Sequence, residues 1–155
     1  MVIIGVDPGQ TGGIAVLEKG KIISLFDMPT SARLHGKGQQ VDAYSLTSSL
    51  LDFVTNNNII VHIEAVSAMP KQGVTSTFRF GESVGVVLGV CGALQFPVRW
   101  VRPAYWKKKA GLAGKEKDAA RTLAIQMHPE ISDQLTRKKD IGRADAILIA
   151  EFGGL

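Results

Sequence analysis

The chain has 155 residues, 45% of them hydrophobic, with 18 Lys and Arg against 14 Asp and Glu and one cysteine, Cys91. That length suits a single domain over residues 1–155 with a core of its own, and one cysteine excludes an internal disulfide or a cysteine-based metal site. No apolar run reaches eighteen residues and Asp7-Pro8-Gly9 cuts the first one short, so a soluble, cytoplasmic protein without membrane contact is expected.

In chain order, Val2-Ile3-Ile4-Gly5-Val6 reads as a buried strand that ends on Asp7 and a glycine-rich turn over 8–13. Residues 13–17 and 22–26, joined by a tight turn, complete an antiparallel meander. Residues 28–40, with Pro29, Gly36 and Gly38, read as a mobile surface loop. Helical spacing of Tyr44, Leu46, Leu50, Leu51, Phe53 and Val54 predicts a helix over 41–57, stopped by Asn56-Asn57-Asn58. A second apolar run, Ile59-Ile60-Val61-His62-Ile63, ends on Glu64.

A long helix is expected over 75–95, with Gly81, Gly85, Gly89 and Gly92 on one face. Each glycine costs a helix about 1 kcal/mol relative to alanine. The face should therefore admit close backbone approach, either by this chain's own sheet or by the same helix of a second subunit. Pro97–Val101 reads as a fifth sheet strand, Pro103 as the start of a short helix carrying Trp106 to Lys109, residues 115–128 as an amphipathic helix, and residues 144–152 as the last helix, closed by Gly153-Gly154. This order implies an α/β domain on a mixed five-stranded sheet flanked by helices.

Strands apolar on both faces usually lie parallel within a covered sheet. If the first strand neighbours the one ending at Glu64, Asp7 and Glu64 leave the same edge. Like charges in a partly dry crevice raise one another's pKa unless a cation neutralises them, and hard oxygen donors select Mg2+ or Mn2+. Asp145 falls on the same helical face as Leu148 and Ile149. It is either a third metal-binding acid or a favourable charge at a helix N-terminus. His62 shares a strand face with Glu64, as a proton-transfer group or as a hydrogen-bonded structural histidine.

Charge is uneven: residues 1–77 carry five Lys/Arg and six Asp/Glu, residues 78–155 thirteen and eight. Arg99, Arg102, Lys107, Lys108, Lys109, Lys115 and Lys117 stand against Glu116 alone, with Trp100, Tyr105 and Trp106 among them. That mixture suits nucleic-acid phosphates and stacking bases; the plainer reading is a solvated face.

The ordered set Ile4-Gly5-Val6-Asp7-Pro8-Gly9, Ile63-Glu64, Gly111-Leu112-Ala113-Gly114-Lys115-Glu116-Lys117 and Ala144-Asp145-Ala146-Ile147-Leu148-Ile149-Ala150 resembles the RuvC-type Holliday junction resolvases of the ribonuclease H-like fold, most closely their phage-encoded branch. The resemblance implies a homodimeric endonuclease that cuts four-way DNA junctions with two Mg2+ ions per active site, Mn2+ substituting, in the cytoplasm of a bacterial host. It carries over Asp7, Glu64 and Asp145 as catalytic metal ligands and Lys117 and Lys115 as contacts near the scissile phosphate, while the basic segment itself offers Arg102, Lys107, Lys108 and Lys109 as further DNA-binding residues. The family's fourth ligand falls at Gly142, so Asp140 is the nearest substitute, or else a turn or cap residue. The family's junction-opening aromatic after the central glutamate is absent, leaving Met69 or Phe78 as a wedge. A non-catalytic binder of branched DNA, or a ribonuclease H acting on RNA–DNA hybrids, would share the fold.

Overall fold

The computed structural model describes residues 1–55 and 58–154. Its central sheet has five strands: β1 (Val2–Val6), β2 (Gly13–Glu18), β3 (Lys21–Asp27), β6 (Ile59–Glu64) and β7 (Val98–Val101), in the order β3-β2-β1-β6-β7. The meander β1-β2-β3 is antiparallel, whereas β6 runs parallel to both β1 and β7. This is the mixed five-stranded sheet expected from the chain order.

Residues 28–40 differ from expectation. Here the strands β4 (Thr30–Ala32) and β5 (Gln39–Val41) form an antiparallel ribbon. Its loop is fastened to the long helix: Arg33 Nη2 donates to both Glu82 carboxylate oxygens at 3.2 and 2.9 Å, and Arg79 donates to the Lys37 carbonyl at 3.1 Å. Partners distant in sequence make the ribbon, which is why local turn residues alone suggest a loop.

Among the described residues, five α-helices cover the sheet: α1 (Ala43–Leu50), α2 (Val74–Ala93), α3 (Pro103–Lys109), α4 (Asp118–Met127) and α5 (Ile141–Phe152). Asp42 caps α1, its carboxylate accepting from the Tyr44 and Ser45 N–H groups, and the helix ends at Leu50 ahead of one 3-10 turn, Leu51–Phe53. It is shorter than predicted, and Tyr44, assigned to its apolar stripe, faces solvent. Asn56 and Asn57, on which the predicted stop rests, lie outside the described residues. Two further 3-10 segments, Pro129–Leu135 and Lys138–Asp140, separate α4 from α5.

Alternation along the strands divides the core into two layers. Val2, Ile4, Val6, Val61 and Ile63 pack with Leu46 and Leu50 of α1 and Val87, Val90 and Cys91 of α2. Leu17, Val101, Trp106, Leu112, Ala124, Leu135 and the apolar residues of α5 fill the other side. Ile3, Gly5 and Asp7 alternate with the first set, and so face α5. A methyl group at Gly5 would strike the Ala146 carbonyl and lie 2.7 Å from the Ala150 nitrogen, so α5 rests on bare β1 backbone.

The glycine face of α2 points the other way. Gly81, Gly85, Gly89 and Gly92 are exposed, and a Cβ added at any of them would meet nothing within 4 Å. Close approach by this chain's own sheet is thereby overturned. At Gly5, by contrast, Gly5→Ala should lower stability by about 1–3 kcal/mol or more. An unchanged urea midpoint would show that α5 does not sit on β1 as described.

Candidate active site

Parallel register sets the first two acids side by side. Val6 pairs with Ile63, so the next residues, Asp7 and Glu64, emerge together at the carboxyl edge of β1 and β6. Both are odd-numbered steps from the strand residues that face α1 and α2, and they point toward α5, which supplies Asp145. That helix begins at Ile141, three residues before the predicted start, and its first turn holds no acid. Asp145 therefore sits in the second turn, and the reading of it as an N-terminal helix charge is lost.

The three carboxylates act on one another. Burial, then the charge of Glu64, raises the pKa of Asp7 from 3.8 to about 6, with the Gly9 N–H and the charges of Lys107 and Lys117 opposing. Burial, then Asp7 and Glu64, raises that of Asp145 from 3.8 to about 7. None of the three takes part in an ion pair found among the described residues.

Glu64 is held by a group that sequence reasoning did not assign. The indole Nε1 of Trp106 donates to Glu64 Oε1 at 2.9 Å from a ring that is 0% exposed. A buried indole N–H must find an acceptor, and that requirement was the available signal. Among the described residues, no three His, Cys, Asp or Glu side chains are already spaced to hold one ion. With Glu64 Oε1 committed to Trp106 and like charges facing one another, the acids converge without closing. Their chemistry still fits a divalent cation: three hard oxygen donors without a bonded cationic partner among the described residues, two of which, Asp7 and Asp145, are disfavoured as anions by burial and by neighbouring acids.

Asp7 and Asp145 line a cleft of about 430 Å³ together with Thr11, Trp106, Leu112, Glu116, Gly142 and five lysines: Lys107, Lys115, Lys117, Lys138 and Lys139. Of the predicted DNA-binding residues, Lys107, Lys115 and Lys117 are thus at the site. Lys108 and Arg102 are exposed but are not among the residues lining the cleft. Lys109 is drawn away: its Nζ donates to the Gly154 carbonyl at 2.8 Å and lies 4.9 Å from the Tyr105 ring centre. Lys138, Lys139, Thr11 and Glu116 were not assigned from sequence.

Asp140 is not brought to the acids. Its carboxylate accepts from the Arg137 backbone N–H at 2.8 Å and from Arg137 Nη2 at 2.7 Å, and these bonds hold its pKa below the usual carboxylate value. Nor can position 142 carry the missing ligand, because a Cβ there would strike the Thr11 carbonyl and lie 2.8–2.9 Å from Gly12 backbone atoms. The glycine-rich turn packs directly on the first turn of α5. His62 is buried, its Nδ1 lies 3.4 Å from the Ile149 carbonyl, and burial lowers its pKa.

No family model matches the chain. The chloroplastic Holliday junction resolvase MOC1 of Chlamydomonas reinhardtii is 36% identical over 92 residues, which cover 59% of this chain and 10% of the algal protein. The chain thus matches about a tenth of that relative's length. Thermus thermophilus RuvC in complex with a Holliday junction substrate superposes with a TM-score of 0.66 at 17% identity, covering 97% of this chain and 90% of that one. A second T. thermophilus RuvC structure gives 0.59 at 19% identity, covering 97% and 91%. The fold is the ribonuclease H-like fold of RuvC, and the sequence likeness is to a Holliday junction resolvase.

The raised pKa values carry a pH prediction. The native state holds protons on Asp7 and Asp145 more tightly than the unfolded chain does, so both acids favour folding least once pH rises through 6–7. In chelator, the melting temperature should fall between pH 5 and pH 8. Asp145→Asn should remove much of that fall, a gain of roughly 2–4 kcal/mol at pH 8, and Mg2+ should raise the melting temperature of the wild type. A flat pH profile in chelator would contradict the assigned electrostatics.

Proposed function

We propose that this chain is a structure-selective endonuclease that resolves four-way junctions and related branched DNA, acting as a homodimer that makes paired symmetric nicks. The observation that carries this reading is the convergence of Asp7 at the end of β1, Glu64 of β6 and Asp145 of α5, the first and last of which line a lysine-rimmed cleft. The algal relative's name and the junction in one Thermus structure point the same way.

Asp7, Glu64 and Asp145 would hold Mg2+, with Mn2+ as substitute and two ions per site. Bound there, such ions supply an activated water and charge neutralisation at the leaving oxygen. The chain's own residues do the remaining work. Trp106 orients Glu64, leaving its second oxygen for a ligand. Lys107 and Lys117, whose charges reach both Asp7 and Asp145, draw a phosphodiester into a cleft whose acids would otherwise repel it. Lys115 extends that basic rim. The exposed side chains of Met69 and Phe78, in the loop after Glu64 and the first turns of α2, are available as wedges between base pairs.

Two like nicks in a two-fold symmetric junction call for two sites in a C2 assembly. The uncovered glycine face of α2 supports self-association there, since bare helix backbone invites a second helix to approach closely.

Cutting of a synthetic four-way junction, a linear duplex and an RNA–DNA hybrid, each with and without Mg2+, tests the activity. Asp7→Asn, Glu64→Gln and Asp145→Asn should each reduce junction cutting by on the order of 10³-fold or more, with junction binding retained. Wild-type cutting by Asp145→Asn, or preference for the hybrid, overturns the assignment. For the interface, Gly85→Leu should give folded monomers by sedimentation that no longer make paired nicks in one binding event. A folded Gly85→Leu dimer places the interface elsewhere.

A further inference from the structure

Asp140 is 1% exposed, and a buried carboxylate persists only where it is paired and hydrogen-bonded. Its neighbours in sequence show what the pairing holds in place. Lys138 and Lys139 form a 3-10 turn with it, both are exposed, and both line the acid cleft. The turn is closed reciprocally: the Arg137 N–H donates to Asp140 Oδ2 at 2.8 Å, and the Asp140 N–H donates to the Arg137 carbonyl at 2.9 Å. Arg137 Nη2 and Nε complete the clamp at 2.7 and 3.2 Å on Oδ1. Two further arginines hold the approach to this turn, Arg121 donating to the Leu135 carbonyl at 2.9 Å and Arg143 to the Gln134 carbonyl at 3.1 Å.

Charge shows what the turn is for. The cleft is lined by five lysines, and Lys138 and Lys139 are two of them, so this turn supplies a large share of the positive charge that a phosphate backbone meets there. Lysine side chains give up about 2 kcal/mol of rotamer entropy when ordered. A rigid backbone beneath them spares the further cost of ordering the main chain.

We propose that Asp140 is a positioning residue which, clamped by Arg137, fixes Lys138 and Lys139 as a second basic wall of the cleft, and that these two lysines take the phosphates of a DNA strand. This deepens the nuclease reading above and rests on it for the substrate. It also removes Asp140 from the metal: each of its oxygens already accepts at least two N–H groups from Arg137.

Fluorescence anisotropy in chelator, with a four-way junction and a linear duplex over a range of salt, measures the wall. Lys138→Ala with Lys139→Ala should reduce the slope of log affinity against log salt by about 1.8 and weaken binding about tenfold near 0.1 M salt. Asp140→Asn should lower the slope in the same direction, with the Mg2+ concentration for half-maximal thermal stabilisation unmoved. Should Asp140→Asn fail to fold, Arg137→Ala breaks the clamp from its half-exposed side and carries the same expectation. An unchanged slope in the lysine variant overturns the proposal. So does a tenfold rise in the Mg2+ requirement of Asp140→Asn with its slope intact, which would make Asp140 a ligand. If the wild type binds duplex but shows no junction preference, and the lysine variant still loses slope, the resolvase reading fails while this assignment stands.

Discussion

Helix α5 meets β1 and the glycine-rich turn at backbone distance, and the geometry of the cleft depends on that contact. Gly5, Gly13 and Gly142 are the points of approach, and a methyl group at any of them would collide with backbone across the seam. Because the seam is tight, the second turn of α5 arrives beside the carboxyl edge of β1, and Asp145 meets Asp7. The same closeness excludes a side chain at position 142. One packing decision thus brings in the third acid and bars a fourth from the neighbouring turn.

The cost of that convergence is electrostatic. Two of the acids are pushed up to pKa values of about 6 and 7, which means the fold holds them against their preference for solvated charge. Lysines from α3, from the turn before α4 and from the turn before α5 surround them without bonding to them as ion pairs. Direct pairing would relieve the acids but close the site. Charge held at a distance surrounds the carboxylates with positive potential while leaving them without a bonded cation.

Much of this was legible in the residues, for definite reasons. A buried strand ending on an acid is readable because burial needs both faces apolar, and the parallel partner follows from the repeat of that pattern at Glu64. Asp145 was readable because an acid on an apolar helical stripe demands a partner. What escaped depended on contacts remote in sequence. The ribbon of β4 and β5 is held by Arg33 and Arg79 reaching α2, and the early start of α5 follows from a turn whose lock is Arg137 on Asp140. For Asp140, spacing reports proximity to the site without reporting that Arg137 already holds the side chain. The α2 glycines were read as a contact face, and this chain's own sheet does not meet it.

The bond from Trp106 to Glu64 gives the protein an optical handle on its own chemistry. Two tryptophans are present, Trp106 at 0% exposure and Trp100 at 49%, so a soluble quencher such as iodide darkens Trp100 and spares Trp106. The emission that survives comes from an indole whose N–H is bonded to a carboxylate of the site. Anything that recruits or neutralises Glu64 changes that indole's surroundings, and its colour and intensity follow in real time, without label or substrate.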